Sequence, residues 1–188
     1  MKYGLRIPSF ALGPRTAGLQ EMGSYLRRAE DLGFDSAVSI DHLLLTPPAY
    51  ACTWLEPIAM LSALAGVTRT IKLGTMVLVL PLRNPVYFAK EWATLDLLSG
   101  GRSILGIGVG WHEEEFALMN VPYKERGPRM NEAIELVRAL WAGDTSRSTP
   151  AWTSTTGRRT TCSARRRRSP SGSARASRRS TAGSTPSC

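Results

Sequence analysis

Short apolar runs alternate with amphipathic segments four times over the first 145 residues. The runs predict strands at 2–8, 36–41, 71–79 and 103–109, each following the last by roughly 30 residues. That spacing leaves room for one helix between successive strands, as parallel pairing requires. The run at 71–79 is apolar at most positions, which is typical of a strand buried on both faces. The pattern therefore predicts an α/β protein with a parallel sheet.

The amphipathic segments predict the intervening helices. In the first of them Leu19, Met22 and Leu26 recur every three or four residues, with charged residues between them. Gly33 and Gly143 follow the first and last segments, where glycine commonly ends a helix. We expect the tryptophans on these helical stripes, Trp54, Trp92 and Trp141, to be core residues rather than ligand contacts. The predicted helical segments are 19–32, 54–64, 88–98, 113–119 and 130–141.

Two architectures fit this order of elements: an open doubly wound sheet and part of a (β/α)₈ barrel. A complete barrel typically needs about 250 residues, so a body of this length offers about half of one, or four βα units. Residues 1–145 hold 14 Lys or Arg and 15 Asp or Glu, a net charge of −1. The body is therefore close to neutral.

The segment 146–188 differs abruptly from the body. It has ten Arg, no acidic residue and no Leu, Ile, Val, Met, Phe or Tyr. A segment of this kind cannot bury enough apolar surface to offset the entropy of ordering it. Three interpretations compete. The segment is a basic arm that binds nucleic acid, a solvated disordered tail, or the product of translating a GC-rich gene in the wrong reading frame. The loss of large aliphatic residues where a fifth strand is due favours the last, and no specific nucleic-acid partner is expected.

Composition also bears on location and on metal sites. No apolar run approaches membrane-spanning length, and Arg6 and Pro8 interrupt the only apolar stretch near the N-terminus, so neither a membrane segment nor a signal peptide is expected. Cys52, Cys162 and Cys188 form an odd set without metal-ligand spacing. They predict free thiols, no metal site and a cytoplasmic protein.

A glycine-rich stretch from 100 to 111 ends the fourth predicted strand. Gly106, Gly108 and Gly110 alternate, but the dinucleotide-binding pattern G-x-G-x-x-G needs a further glycine where Trp111 stands. The acidic run 113–115 disfavours a phosphate site because it would repel an anion. The stretch is either a plain turn at a strand end or the C-terminal lip of a barrel strand, where barrel enzymes have their active sites.

Asp41 and His42 follow the second predicted strand and are the strongest candidates for chemistry. A histidine exchanges protons near neutral pH, and Asp41 is expected to orient or charge it. The alternative is a loop histidine bonded only to its neighbours. His112 is expected to be a solvated loop residue, and Glu113 to Glu115 an acidic helix start that suits the helix dipole.

Taken together, these motifs resemble the bacterial luciferase-like monooxygenase superfamily, and within it the coenzyme F420-dependent oxidoreductases. The resemblance covers about residues 1–144, in order and at similar spacing. The matching segments are 29–36 (AEDLGFDS), 41–42 (DH), 73–77 (LGTMV), 84–85 (NP), 95–102 (LDLLSGGR), 106–111 (GIGVGW), 115–116 (EF), 126–132 (RGPRMNE) and 140–141 (LW).

The resemblance implies a (β/α)₈ barrel, here its N-terminal half, that binds F420 or alternatively FMN at the C-terminal ends of the strands. It implies that His42 is the catalytic acid or base, with Asp41 beside it, and that Met76–Val77 is a non-proline cis peptide supporting the cofactor ring. Some F420 enzymes have a carboxylate where Trp111 stands, so this sequence departs from them at a position of their proton relay. The residues implied to line the ring are Met76, Val77, Gly108, Val109, Gly110 and Trp111.

The resemblance also implies an oxidoreductase that transfers hydride to or from a small-molecule substrate, with a homodimer as in the family. In the family, later strands and loops hold the cofactor tail, and the segment 146–188 cannot supply them. Two alternatives therefore stay open: an FMN-dependent monooxygenase, and an inactive, non-enzymatic half-barrel with a basic tail.

Overall fold

The computed structural model of the protein describes residues 1–10, 15–45 and 52–143. The predicted tail, including Cys162 and Cys188, lies outside the described residues. Single 3₁₀ turns lie at Leu80–Leu82 and Tyr123–Glu125. The strands and helices are β1 (Gly4–Arg6), α1 (Leu19–Asp31), β2 (Ser36–Ser39), α2 (Pro57–Val67), β3 (Lys72–Thr75), β4 (Leu78–Val79), α3 (Pro85–Leu98), β5 (Ser103–Ile104), β6 (Ile107–Gly108), α4 (Glu113–Leu118) and α5 (Arg126–Ala142).

In the described part of the chain the named strands pair in parallel, as the alternating pattern predicts, and a single antiparallel bridge joins Phe10 and Trp54 outside them. A four-stranded sheet has the order β1-β2-β3-β5, and β4 pairs separately with β6. Because the strands run in sequence order across the sheet, each crossover connects adjacent strands. The α/β prediction and the parallel sheet are therefore confirmed.

The two faces of the four-stranded sheet differ in burial. Ala37 and Leu73, which are in register on one face, are fully buried in the main hydrophobic cluster together with residues of the helices. On the other face Arg6 and Ile104 are exposed. A doubly wound sheet has helices on both faces. Within the described residues the helices cover one face, which is the arrangement of a barrel segment.

The main core lies between the sheet and the helices on its covered face. It is built from the apolar stripes of α1, α2 and α3, and α5 packs against α3. Each fully buried aliphatic or aromatic side chain contributes about 1.5–3 kcal/mol to the free energy of unfolding through its removal from water. The largest buried side chains of this cluster include Ile7, Leu26, Leu61, Leu64, Leu73, Phe88 and Leu95.

The strands predicted at 71–79 and 103–109 are each divided in two. The first is interrupted by a cis peptide bond between Met76 and Val77, so β3 ends at Thr75 and β4 begins at Leu78. The second is interrupted at Gly106, whose carbonyl accepts hydrogen bonds from the Leu78 N–H (2.9 Å) and the Thr75 hydroxyl (2.8 Å). The prediction of two continuous strands is wrong because both interruptions fall within apolar residues and leave the hydropathy pattern unchanged. The first two strands are shorter than predicted.

The predicted ends of the helices, which rest on glycines, agree with the structure better than the predicted starts do. Gly143 caps α5 in the left-handed conformation at φ 78°, and Gly33 follows α1 at φ 82°. However, α2 begins at Pro57 rather than at Trp54, because proline suits the first helical turn and the Glu56 carboxylate accepts the Ala59 N–H at 2.6 Å. Among the described residues, no helix has the length and apolar character needed to cross a membrane.

Candidate functional site

The ends of three strands bring the predicted site residues to one edge of the fold. β2 leads into Asp41 and His42, β3 into the Met76–Val77 bond, and β6 into the loop that begins at Val109. Because the strands are parallel, all these segments lie at the C-terminal edge, where barrel enzymes have their active sites. The His42 ring lies 5.7 Å from the Trp111 ring, centroid to centroid.

His42 is bound to the buried carboxylate of Glu115, a residue predicted only as part of an acidic helix start. Its Nδ1 lies 3.0 Å from Oε1 of Glu115, whose side chain is 2% exposed. The same oxygen accepts the backbone N–H groups of Leu43 (2.8 Å) and Leu44 (3.2 Å). Glu115 therefore links the start of α4 to the loop that follows β2.

Asp41 has partners other than those predicted. Its Oδ2 accepts the Val79 N–H at 2.9 Å, and both of its carboxylate oxygens contact Nη2 of Arg83 at 3.0 and 3.1 Å. Arg83 also pairs with Glu56 at 3.0 Å. The prediction that Asp41 orients His42 is therefore corrected: the Asp41 carboxylate holds β4, and Glu115 holds the His42 ring. The two neighbouring side chains therefore have different partners.

The Asp41 carboxyl responds to opposing electrostatic effects. Burial raises its pKa above the usual value, while the Arg83 guanidinium and the Val79 N–H act to lower it. The effect of burial is the larger, so the net direction is upward.

Two tryptophans flank the His42 ring. The Trp54 ring lies 5.4 Å from it, with 41° between the ring planes, and Trp111 meets it edge-on at 76°. Trp54 also packs against Phe10 at 5.4 Å. The prediction of Trp54 as a helical core residue is wrong because it precedes α2. Trp92 and the partly buried Trp141 pack in the core as predicted, the latter donating its indole N–H to the Ala89 carbonyl at 2.9 Å.

The residues predicted to contact a cofactor ring form an exposed apolar surface beside His42. Met76 is 66% exposed and Trp111 54% exposed, and Val77 and Val109 are also exposed. Gly108 packs against Val77 so closely that an added Cβ would lie 2.6 Å from Val77 Cγ2. We call this set, Met76, Val77, Gly108, Val109, Gly110 and Trp111, the apolar ledge.

Glu115 is the site residue that sequence reasoning missed most clearly. Three consecutive glutamates look alike in a sequence, and only the tertiary contacts make the third of them buried while Glu113 and Glu114 stay exposed. Its neighbour Phe116, which is fully buried, was the available signal, since it anchors this turn of α4 in a small second core. His112 is not freely solvated either: its side chain is 16% exposed, and its Nδ1 lies 3.8 Å from Glu115 Oε1.

No group of three or more His, Cys, Asp or Glu side chains in the described part of the chain could hold a metal ion. Cys52 is buried and not in a disulfide. The ionisable groups that the structure pairs at this edge are therefore His42 with Glu115 and Asp41 with Arg83.

Comparison with known sequences places the whole site inside one family match. Residues 1–179 match the family model described as luciferase-like monooxygenase. The chain is 36% identical over 149 residues to the F420-dependent glucose-6-phosphate dehydrogenase of Amycolatopsis mediterranei, covering 77% of this chain and 43% of that protein. The corresponding enzyme of Nocardia farcinica is also 36% identical, over 151 residues, with the same coverage.

Solved structures agree with this match. The monooxygenase RslO1 from Streptomyces bottropensis superposes with a TM-score of 0.64 at 28% identity, over 76% of this chain and 43% of that one. The coenzyme F420-dependent tetrahydromethanopterin reductase from Methanopyrus kandleri gives 0.57 at 25% identity, over 76% and 40%. The chain thus spans less than half the length of the relatives that it matches, which agrees with the prediction of an N-terminal half.

Proposed function

Because the chain belongs to the luciferase-like monooxygenase family, we propose that it contributes the N-terminal part of an oxidoreductase site that binds coenzyme F420. One observation supports this most directly: His42, the Met76–Val77 bond and Trp111 lie at the C-terminal edge of the parallel sheet. The similarity to F420-dependent dehydrogenases extends over 77% of the chain and favours F420 over FMN.

The apolar ledge has the properties that a planar flavin or deazaflavin ring needs. Its exposed side chains, Met76 and Trp111, offer apolar surface that a ring would remove from water. At Gly108 and Gly110 an added Cβ would lie 2.6 Å from Val77 and 2.7 Å from Val79 respectively, so glycine lets β6 and the loop after it pack closely against Val77 and β4. The residues present therefore fit the ring of such a cofactor.

Each residue of the site has a separate role in this proposal. When bound, the cofactor would supply hydride transfer at its ring. His42, beside the apolar ledge, gives or takes the proton that the substrate exchanges. Glu115 and the two flanking tryptophans fix the place of the His42 ring, and the Asp41–Val79 bond holds β4 next to the cis peptide. The substrate is a small molecule, and a homodimer is part of the proposal.

An FMN-dependent monooxygenase is the second candidate, favoured by the structural similarity to the monooxygenase RslO1. A non-enzymatic half-barrel is the third, since the chain spans 43% of its F420-dependent relatives and the parts that would complete the site in them are not among the described residues. The three candidates predict that the apolar ledge binds F420, FMN or neither cofactor.

Two-dimensional NMR of the 188-residue chain, titrated separately with F420 and FMN, tests the proposal. We expect F420 to shift the Trp111 indole and His42 ring signals more than FMN does, with the F420-dependent dehydrogenase of Amycolatopsis mediterranei as the positive control. A Met76→Ala variant, which removes a 66% exposed apolar side chain of the ledge, serves as the site control and should weaken the shifts. Larger shifts with FMN would favour the monooxygenase, and no shifts with either cofactor would contradict both.

A further inference from the structure

Both histidines of the chain lie beside the same buried carboxylate. The protein has two histidines, and Glu115 Oε1 lies 3.0 Å from Nδ1 of His42 and 3.8 Å from Nδ1 of His112. The first distance is a hydrogen bond, and the second is beyond hydrogen-bond reach. Glu115 is therefore bonded to the ring of one histidine and only near the other.

We propose that Glu115 is a positioning residue that holds the neutral His42 ring in the tautomer with its proton on Nδ1. An ionised carboxylate has no hydrogen to give and can only accept. The short contact with Glu115 therefore requires Nδ1 of His42 to be the donor. Nε2 is then the nitrogen with the lone pair, and the proposed function assigns the proton exchange to it.

The surroundings of the carboxylate support this assignment. The N–H groups of Leu43 and Leu44 donate to the same oxygen as His42 Nδ1, so three donors converge on it. Three donors on one carboxylate oxygen keep that oxygen in the accepting role that the proposal gives it. The same contacts fix the backbone immediately after His42, so that ring and loop are oriented together.

Packing also restricts the ring from its sides. Trp54 and Trp111 lie 5.4 and 5.7 Å from the His42 ring on the basis of their centroids, and the His42 side chain is 9% exposed. A ring flip that brought Nε2 to Glu115 would have to occur between these two aromatic side chains. The arrangement favours one ring orientation and one tautomer.

His112 provides an internal reference for this proposal. Its Nδ1 is buried and makes no hydrogen bond within the described residues, and Glu114 approaches its other nitrogen, Nε2, only to 3.9 Å. A charged partner at that distance should influence the tautomer of His112 much less than Glu115 influences that of His42. In one sample, the fraction of the Nδ1–H tautomer is thus expected to be higher for His42 than for His112.

The test is ¹⁵N NMR of the imidazole nitrogens in the 188-residue chain without cofactor, at a pH where the rings are neutral. With two histidines, a His112→Gln variant assigns every signal. We expect His42 to be mainly the Nδ1–H form. Glu115→Ala should reduce the ratio of Nδ1–H to Nε2–H by about tenfold or more, since a charge-assisted hydrogen bond is lost. Glu115→Gln keeps an acceptor oxygen and should reduce the ratio less.

Glu114→Gln is the matched control, because it removes one charge from the same turn of α4 at a side chain that is 81% exposed. It should leave the His42 tautomer unchanged. A His42 ring that is mainly Nε2–H in the unmodified chain overturns the proposal, and so does an unchanged ratio in both Glu115 variants. If Glu115→Ala fails to fold, the unmodified chain and Glu115→Gln still decide the question.

The importance of this tautomer for catalysis rests on the proposed function, but its measurement does not. A failed cofactor titration would contradict the proposed function and leave the tautomer result standing. Conversely, an Nε2–H ring in a chain that binds F420 would contradict the role of Glu115 alone. Where turnover can be measured, a positioning role predicts that Glu115→Gln lowers kcat with little change in the KM of the substrate.

Discussion

The carboxylate of Asp41, just after β2, accepts a 2.9 Å hydrogen bond from the backbone N–H of Val79 in β4. The next residue along the chain, His42, is bound instead to Glu115 at the start of α4. The Asp41 carboxylate thus connects the end of β2 to β4 through a hydrogen bond from the backbone. The Glu115 carboxylate connects the end of β2 to the start of α4 through the His42 imidazole. The position of the apolar ledge relative to His42 depends on both connections.

Replacing Asp41 by alanine should destabilise the fold. It leaves the buried Val79 N–H without its acceptor and removes one of the two carboxylate partners of Arg83. We expect the free energy of unfolding to fall by about 1–3 kcal/mol, measured by urea denaturation. Asp31→Ala, at an exposed position at the end of α1, is the control and should change it by less than about 0.5 kcal/mol. Equal effects of the two variants would contradict the importance of the Asp41 contacts.

The pH dependence of Asp41 has a defined sign. Burial raises its pKa in the folded chain above the usual 3.8, so the folded chain holds this proton more tightly than the unfolded chain does. The resulting stabilisation is complete below the unfolded pKa and is lost as the pH rises through the raised pKa. We expect the free energy of unfolding of the wild type, relative to Asp41→Asn, to decrease as the pH rises above 3.8. An increase over that range would show that the ion pair with Arg83 dominates.

Glu30 should show the opposite dependence. Burial acts to raise its pKa, but hydrogen bonds from the backbone N–H groups of Ile71, Thr70 and Arg69, at 2.6–2.9 Å, outweigh it and lower the pKa below the usual 4.5. This stabilisation is present above the unfolded pKa and is lost as the pH falls through the lowered one. Urea denaturation from pH 6 down to about pH 3 should therefore show a steeper loss in the wild type than in Glu30→Gln. Parallel curves would exclude this role of Glu30.

Gly108→Ala tests the close packing of the apolar ledge. The added Cβ would lie 2.6 Å from Val77 Cγ2, and a β-branched side chain has little freedom to move away. We expect a loss of about 1–3 kcal/mol in the free energy of unfolding, measured by urea denaturation. Gly66→Ala in α2 is the matched control: nothing lies within 4 Å of its added Cβ, and alanine is the better helix former, so stability should rise by about 0.5–1 kcal/mol. A Gly108→Ala variant as stable as the wild type would mean that Val77 adjusts freely.

Cofactor affinity should depend on the part of the sequence after residue 145. If the coding DNA continues the βα pattern in another frame there, restoring that frame should strengthen F420 binding by orders of magnitude, because several charge-assisted contacts are gained at roughly 1.5–3 kcal/mol each. In the restored version His42→Ala should slow turnover by about 10²- to 10⁴-fold. Fluorescence titration of both versions measures the first effect. Micromolar binding by the 188-residue chain would show that its own residues already complete the site.

The sequence by itself determined the order of elements and the edge at which the site lies. Alternation of apolar runs with helical stripes is a local property, and parallel pairing then requires that the segments after Ser39, Thr75 and Gly108 meet at one edge. The glycine at 143 ends its helix for an equally local reason, the left-handed backbone that glycine tolerates. The family motifs placed the cis peptide at Met76–Val77, where hydropathy gave no sign of it.

Only the tertiary structure decided which carboxylate serves His42. Asp41 is its neighbour in the chain, yet the partner is Glu115, 73 residues away. Trp54 likewise reaches the site although its spacing suggested a helical core residue. A hydrogen bond depends on distances of a few tenths of an ångström and on the direction of each side chain. Those quantities are set by how β2, β4 and α4 pack together, and a linear pattern of residue types does not contain them.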